Sequence, residues 1–125
     1  LVVDDATTVR LFHRQILEEA GFAVEEAMNG IEGLERALTA DAPPDLMLVD
    51  VNMPRMDGYA FVRAVRAEPS LCDVPAIMIS TEREQSDADR AFKAGANLFL
   101  VKPVQPGQLA RLARLLSGAG RLVAP

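Results

Sequence analysis

Each of three short apolar runs in this sequence ends in ionisable side chains. The runs and the residues that follow them are Leu1–Val3 before Asp4 and Asp5, Leu46–Val49 before Asp50, and Leu98–Val101 before Lys102. Short continuous apolar runs are typical of strands that are buried on both faces of a parallel sheet. Because parallel strands all end along one edge of a sheet, we expect the three carboxylates and the ammonium group to lie close together there.

Three neighbouring carboxylates repel each other strongly unless a cation lies among them. The pattern therefore predicts a divalent metal, Mg²⁺, with a reactive aspartate beside it. Phosphoryl transfer suits such a site, because a metal ion and the Lys102 ammonium group would stabilise the charge that spreads over the equatorial oxygens. Taken singly, the residues have simpler interpretations: Asp4 and Asp5 as a turn or helix-cap pair, Asp50 as a loop residue, and Lys102 as a surface lysine.

Length and composition indicate one ordinary globular domain. The chain has 125 residues, of which 50% are hydrophobic and 25% charged, enough to bury a sizeable core. The single cysteine, Cys72, excludes a secreted scaffold held by internal disulfides and is compatible with a cytoplasmic location.

No apolar stretch reaches the ~20 residues of a membrane span, and the start lacks a signal-peptide pattern. Since Leu1 stands where an initiator Met would, we expect the natural chain to begin several residues earlier.

The charge is unevenly distributed along the chain. Residues 1–60 hold 12 acidic and 4 basic side chains, a balance of −8, and residues 61–125 hold 6 acidic and 9 basic, a balance of +3, giving −5 in total. An acidic total argues against nucleic-acid binding, which favours a broad basic surface. The basic side chains from Lys102 onward either contact an acidic partner or form a solvated helix face.

Turn formers and apolar periodicity divide the chain into alternating strands and helices. The predicted strands are residues 1–3, 22–27, 46–50, 76–80 and 98–101. The first predicted helix is capped by Thr7 or Thr8 and stopped by Gly21, and the second is capped by Asn29 and closed by the prolines at 43 and 44. The other predicted helices cover residues 59–66, 83–94 and 106–117. This alternation predicts an α/β protein with a doubly wound parallel sheet, whose ligands bind outside the carboxyl ends of the strands.

Two local predictions concern side chains near these strand ends. On the first helix, His13 stands beside an apolar stripe and is expected to be partly exposed, without companions for metal binding. The residues of that stripe are Val9, Phe12, Ile16 and Leu17. In the loop after the third strand, Asp57 is suited to cap the next helix and Gly58 to permit a tight turn.

Five short motifs, in this order and at these spacings, occur together in one protein family. They are the Asp4-Asp5 pair, Asp50 followed by Met53-Pro54 and Met56-Asp57-Gly58, Ser80, Ala94-Gly95-Ala96, and Lys102-Pro103. With them the chain resembles the receiver domain of bacterial two-component response regulators, particularly the single-domain chemotaxis type. The resemblance covers residues 1–117 and implies a flavodoxin-like fold, with strand order 2-1-3-4-5 and five helices. Residues 118–125 would be a C-terminal tail or the start of a linker.

The resemblance also implies a role for each residue at the strand ends. Asp50 would be the phosphate acceptor, attacking the phosphorus of a phosphohistidine on a histidine kinase or phosphotransfer protein. Asp5 would bind Mg²⁺ directly and Asp4 mainly through a water molecule. Asp50 itself and the backbone carbonyl of Asn52 would supply the remaining protein oxygens. Lys102 would contact the phosphoryl group.

Further residues would turn phosphorylation into a signal. By resemblance, Ser80 would move its hydroxyl toward the phosphoryl group, and Phe99 would swing into the space vacated. The face formed by the fourth helix, fifth strand and fifth helix would then change its preference for a protein partner, with a phosphorylation-dependent homodimer as one form of output. For Phe99 alone, a core aromatic residue is an equal alternative.

Three positions near the acceptor are expected to tune its chemistry. Thr81 is bulkier than the alanine or glycine often found there in the family, so we expect it to slow the entry of phosphodonors. By resemblance, Glu82 and Asn52 would flank the water that attacks the phosphorylated aspartate and would set the rate of self-dephosphorylation. Apart from these three positions, the resemblance also implies that Pro103 follows a cis peptide bond.

Three functions from different classes are compatible with these residues. The favoured one is a phosphorylation-controlled binding module that takes phosphate from kinases or small donors and loses it by itself, without being a turnover enzyme. A Mg²⁺-dependent phosphohydrolase with an aspartate nucleophile also uses a strand-end aspartate. That class of enzyme requires a second acidic residue two positions after the nucleophile, where this chain has Asn52. A degenerate receiver acting as a constitutive interaction module is disfavoured by the intact acids and Lys102. Whether the domain stands alone or belongs to a larger protein is left open.

Overall fold

The fold is a five-stranded parallel sheet with helices on both faces. The computed structural model of the protein describes residues 1–81 and 84–118. The strands are β1 (Val2–Val3), β2 (Glu26–Ala27), β3 (Met47–Asp50), β4 (Ala76–Ser80) and β5 (Leu98–Val101), and the helices are α1 (Thr7–Glu19), α2 (Gly30–Thr39), α3 (Gly58–Ala67), α4 (Gln85–Ala94) and α5 (Pro106–Ser117). The order is β2-β1-β3-β4-β5 with parallel neighbours, which confirms the predicted doubly wound sheet.

Apolar side chains on the two faces of the sheet form two separate clusters. Successive strand residues point to opposite faces, so neighbours such as Leu48 and Val49 belong to different clusters. One cluster joins the sheet to α2, α3 and α4, and the other joins it to α1 and α5. Because β3 and β4 are buried on both faces, their sequences are continuous apolar runs with no polar alternation.

Most element bounds agree with the predicted ones. Strands β4 and β5 and helix α5 have the predicted limits. Strand β2 is shorter than predicted, because it lies at the edge of the sheet and pairs with β1 over only two residues. Helix α4 begins at Gln85, and the predicted starting residue, Arg83, lies outside the described residues, as do residues 119–125 of the predicted tail. Within the described ranges, no helix has both the length and the apolar character needed to cross a membrane.

Helix α1 buries part of the predicted stripe, Ile16 and Leu17, together with two polar residues that were not predicted to be buried. Its buried residues are Arg10, His13, Ile16 and Leu17. Phe12, predicted to lie in the core stripe, is 43% exposed, whereas His13 is only 2% exposed, so the prediction of a partly exposed histidine was wrong. Burial lowers the pKa of His13 by more than the negative charge of Asp4 raises it, and the imidazole is therefore favoured in its neutral form.

The cap of α1 is also not the predicted one. Its first flanking residue is Ala6 rather than Thr7 or Thr8, and Ala6 has no side chain that could cap the helix. Instead, Asp4 Oδ1 accepts a hydrogen bond of 2.9 Å from the Ala6 backbone N–H. The turn between β1 and α1 is therefore closed by a residue of the acid pair itself.

The loop after β3 is built as predicted at its far end. Asp57 caps α3, with Oδ1 accepting a hydrogen bond of 2.8 Å from the Ala60 N–H. Gly58 passes so close to the strand that a Cβ atom there would lie 2.3 Å from the carbonyl oxygen of Asp50. Only glycine permits this approach, and the chain therefore returns to the sheet directly beside Asp50.

A cluster around Arg66 fastens α3 at the amino end of β4. The guanidinium group donates hydrogen bonds to the carbonyl oxygens of Val74 at 2.7 Å, Gly95 at 2.9 Å and Cys72 at 3.1 Å. It also donates to Asn97 Oδ1 at 3.0 Å, which in turn accepts from the Ala76 N–H at 2.8 Å. All these acceptors are neutral, so the cluster is one cation surrounded by satisfied dipoles.

Candidate functional site

The sheet register brings the predicted site residues to one edge. Val3 is aligned with Val49, Asp50 with Ile79, and Ser80 with Val101. The residues that follow β1, β3, β4 and β5 therefore lie side by side at the carboxyl end of the sheet. The Lys102 N–H also donates to the Ser80 carbonyl oxygen at 2.8 Å, which extends the pairing of β5 with β4 up to the site, and the Lys102–Pro103 peptide bond is cis.

An acidic cluster with one ammonium group occupies this edge. Lys102 Nζ donates to Asp50 Oδ1 at 2.9 Å and to Asp4 Oδ2 at 3.3 Å. One carboxylate oxygen from each of Asp4, Asp5 and Asp50 lies within 4.8 Å of the others. Asp4 and Asp50 are 2% and 7% exposed, whereas Asp5 is exposed to solvent. The structure thus brings together the four ionisable side chains that follow the predicted strands.

Among the residues that the structure describes, the charges in this cluster do not balance, since three carboxylates face one ammonium group. Burial raises the pKa of Asp50 above its usual range, the bond from Lys102 opposes that rise, and the charges of Asp4 and Asp5 add to it. Burial alone would lower the pKa of Lys102, but its hydrogen bond to Asp50 and the charges of Asp50 and Asp4 raise it. The ammonium group therefore stays protonated, and the excess charge in the cluster is negative.

The donor set fits a hard divalent cation. All three side chains offer carboxylate oxygens, which Mg²⁺ prefers, and ligands around one Mg²⁺ ion are about 3–4 Å apart when each lies about 2.1 Å from the metal. Oxygens that already lie within 4.8 Å of one another need only a small closure to share such an ion. An added dication would also compensate the excess negative charge of the cluster.

The other predicted site residues lie around the cluster at different depths. Ser80 is completely buried at the end of β4, and Asn52 and Thr81 are exposed in the loops that follow β3 and β4. Phe99 is half-buried on β5 and packs against the cluster that contains α3 and α4. Glu82 lies outside the described residues.

One charged residue of this region was not predicted from the sequence to belong to it. Arg10 of α1 is buried, and its Nη1 donates to the backbone carbonyl oxygen of Asp4 at 2.7 Å. Its Nε donates to Glu26 at 2.9 Å, and Arg14 pairs with the same carboxylate. The available signal was its spacing: Arg10 stands seven residues, about two helical turns, before Leu17 and so lies on the same side of the helix. A charged residue on a buried face requires a partner.

Comparison with known proteins shows that this sequence is similar to one protein family. The model of the response regulator receiver domain family matches residues 1–114. The chemotaxis protein CheY1 of Helicobacter pylori strain J99 is 40% identical over 107 residues, which are 85% of this chain and 86% of that protein. The sensor histidine kinase CheAY of Helicobacter pylori is 37% identical over 103 residues, 82% of this chain, but the matched region is only 13% of that protein.

Solved structures agree with the sequence relatives. The chemotaxis protein CheY4 of Vibrio cholerae has a TM-score of 0.84 and 35% identity, and the match covers 92% of this chain and 94% of that one. The receiver domain of a signal transduction histidine kinase from Syntrophus aciditrophicus has a TM-score of 0.85 and 33% identity, with 94% and 88% covered. The similarity thus extends over nearly the whole fold, including all five strands.

Proposed function

The chain belongs to the response regulator receiver domain family, and we propose that it is a phosphoacceptor in which Asp50 receives the phosphoryl group. The observation that carries the proposal is the single ammonium group of Lys102, 2.9 Å from Asp50, beside two further carboxylates. Receiver domains are signalling domains rather than turnover enzymes, so the product is the modified protein itself. We further propose that the protein is cytoplasmic and that its donor is the phosphohistidine of a histidine kinase or phosphotransfer protein.

The transfer is a displacement at phosphorus. A carboxylate oxygen of Asp50 forms the new P–O bond, the P–N bond to the donor imidazole breaks, and the imidazole leaves with the electron pair of that bond. Lys102 is suited to stabilise the phosphoryl oxygens, since it already donates to Asp50 and remains charged. The exposed loops at Asn52 and Thr81 leave this edge of the sheet open to a protein donor.

A bound Mg²⁺ ion would be held by the acid cluster. Asp5 is the proposed direct ligand, Asp4 acts mainly through a water molecule, and Asp50 and the backbone carbonyl of Asn52 provide the other protein oxygens. The fit rests on the three carboxylate oxygens within 4.8 Å of one another. When bound, the ion would neutralise charge on the phosphoryl oxygens during transfer.

We propose that Ser80 and Phe99 link the phosphorylated site to an output surface. Ser80 ends β4 at the site, and the Lys102 backbone N–H binds its carbonyl oxygen. Phe99 is half-buried on the adjacent strand, where a change in rotamer would alter the surface formed by α4, β5 and α5. A protein target on that surface, or a second copy of the domain, would read the change.

We propose that three neighbouring residues control the access of phosphodonors and the lifetime of the phosphorylated form. Thr81 is exposed and is proposed to restrict the access of small phosphodonors. Asn52 is exposed in the loop after β3 and is proposed, together with Glu82, to set the rate at which water removes the phosphoryl group.

Mass spectrometry tests the main proposal directly. The protein is incubated with Mg²⁺ and acetyl phosphate, or with a phosphorylated kinase, and one added phosphoryl group is expected on Asp50. Asp50→Asn should show no adduct, and omission of Mg²⁺ should also prevent it. Wild-type protein that acquires no adduct from any donor would refute the proposal in favour of a constitutive interaction module, while steady release of phosphate from a phosphomonoester would favour a phosphohydrolase.

A further inference from the structure

Arg10 forms a buried link between helix α1, strand β2 and the acid pair after β1. A guanidinium group in the interior must be paired to offset its desolvation. Here its Nη1 donates to the Asp4 carbonyl oxygen at 2.7 Å and its Nε to Glu26 at 2.9 Å. Burial would raise the pKa of Glu26, but the hydrogen bonds from Arg14 and Arg10 lower it, so Glu26 remains an anion opposite the two cations.

The bond to the Asp4 carbonyl oxygen fixes more than one atom. That oxygen belongs to the planar peptide group that joins Asp4 to Asp5, so holding it sets the position of the Asp5 N and Cα atoms as well. On the other side of Asp4, its N–H donates to the Ala27 carbonyl oxygen at 3.1 Å. Asp5 is exposed, and the Cα atom from which its carboxylate reaches the site is placed by the backbone that Arg10 holds.

We propose that Arg10 is a positioning residue for the metal site, which orients the Asp4–Asp5 peptide so that both carboxylates face one cation. The inference rests on the proposed function, because it requires that the acid cluster binds Mg²⁺. Residues that orient metal ligands from behind typically change metal affinity by about 10–100-fold when they are replaced. Arg10 touches the backbone of a ligand and has no direct part in phosphoryl transfer.

Loss of the Arg10 charge and loss of its bond to the Asp4 carbonyl oxygen should change the affinity for Mg²⁺ in opposite directions. Removing a positive charge near an acidic site should, by Coulomb's law alone, strengthen the binding of a cation. Loss of the bond to the Asp4 carbonyl oxygen should instead weaken it, because the two carboxylates are no longer held in one orientation. The sign of the change in Mg²⁺ affinity thus distinguishes a positioning role from a mere contribution to the charge balance.

Arg14 provides a matched control on the same helix. It pairs with the same carboxylate, Glu26, but the carbonyl oxygen of Asp4 is held by Arg10. Arg14→Met removes the same charge as Arg10→Met and leaves the Asp4–Asp5 peptide bonded. Arg10→Lys keeps the charge but lacks the planar fork that binds two acceptors at once, and it serves as the milder variant if Arg10→Met does not fold.

Calorimetric titration with MgCl₂ and hydrogen exchange of the metal-free proteins test the inference. Arg10→Met should raise the Kd for Mg²⁺ by about ten-fold and Arg10→Lys by a few-fold, while Arg14→Met stays within about two-fold of wild type. In the metal-free protein, the Ala6 amide, which donates to Asp4 Oδ1, should exchange faster in both Arg10 variants. At saturating Mg²⁺ the rate of phosphorylation should return to near the wild-type value.

Failure of the positioning role of Arg10 and failure of the proposed function give different results. If a folded Arg10 variant binds Mg²⁺ as tightly as wild type, or if Arg14→Met weakens binding equally, Arg10 is not a positioning residue, although the proposed function stands. If the wild-type protein itself takes up no Mg²⁺, the proposed function fails, and this inference fails with it.

Discussion

The two charged clusters at opposite ends of the sheet differ in how well their charges are balanced. At the amino end of β4, Arg66 binds three carbonyl oxygens and the Asn97 side chain, all of them neutral. At the carboxyl end, Lys102 shares its single charge between Asp50 and Asp4, with Asp5 close by. The first cluster is complete without a ligand, whereas the second carries excess negative charge. This imbalance distinguishes a site built to bind something from one built to hold the fold together.

The largest expected effect is the loss of phosphorylation when the acceptor is replaced. Asp50→Asn removes the nucleophilic oxygen and should abolish the added phosphoryl mass altogether. Asp57→Asn is the matched control in the same loop, since asparagine caps helices as well as aspartate does and Asp57 lies at the start of α3. The control should be phosphorylated at the wild-type rate, measured by mass spectrometry over time. A persistent adduct in Asp50→Asn would place the acceptor elsewhere.

Replacement of the ammonium group should destabilise the metal-free protein. Lys102→Met leaves the buried Asp4 and Asp50 carboxylates without their shared cation. Removing one partner of a buried ion pair costs about 3–5 kcal/mol, and we expect the lower end because Lys102 is still 17% exposed. Urea denaturation with and without MgCl₂ measures the effect, and Mg²⁺ should restore part of the loss. Equal stability of variant and wild type without metal would contradict the charge imbalance.

The effect of disrupting the Arg66 cluster should not depend on metal. Arg66→Met leaves the carbonyl oxygens of Val74 and Gly95 without their donor, which should lower the free energy of unfolding by about 1–3 kcal/mol. The Kd for Mg²⁺ should stay at the wild-type value, and the loss of stability in urea should be the same with and without MgCl₂. A change in Mg²⁺ affinity would show that the two clusters are not independent.

The raised pKa of Asp50 gives the site a predictable dependence on pH. Since the folded-state pKa lies above the ordinary value, ionisation of Asp50 opposes folding, and the resulting loss of stability grows as pH rises from about 4 through the folded pKa. Metal-free Asp50→Asn should therefore have a higher Tm than wild type at neutral pH, with a gap that narrows toward pH 4. Thermal unfolding at several pH values measures it, and a constant gap would exclude this cause.

The smallest expected effect concerns access to the acceptor. Thr81→Ala should speed phosphorylation by acetyl phosphate by a few-fold, because a side chain at the exposed entrance is shortened. Stability in urea should not change, and the Kd for Mg²⁺ should remain the same. A rate no faster than that of wild type would defeat the idea that Thr81 narrows the entrance.

Much of this site could be read from the sequence because strand ends converge by geometry. The runs before Asp50 and Lys102 were sufficient to place both residues at one edge, and the register confirms it. The motif order then identified the family. Helix α1 was harder, since side-chain polarity alone placed Phe12 inside and His13 partly outside, contrary to the structure.

The burial of Arg10 and the start of α1 after Ala6 were missed for related physical reasons. A helix face can be buried with a charged residue on it if a partner from a distant segment neutralises the charge. For Arg10 that partner is Glu26 of β2, sixteen residues away, and the pairing is not visible from the spacing within α1. The Ala6 start was missed for a similar reason, because the group that satisfies its N–H belongs to Asp4 and not to a residue within the helix.

The separation of the site residues along the chain has a consequence for assembly. Lys102 is 52 residues from Asp50 and 98 from Asp4, so the cluster comes into being only when the first, third and fifth strands have all joined the sheet. A nascent or proteolysed chain that stops before β5 would have the acids without their counter-charge. A cation that binds only the completed cluster would stabilise the folded chain relative to the unfolded chain. The fraction of protein with a bound cation would therefore measure how much of it has the first, third and fifth strands assembled.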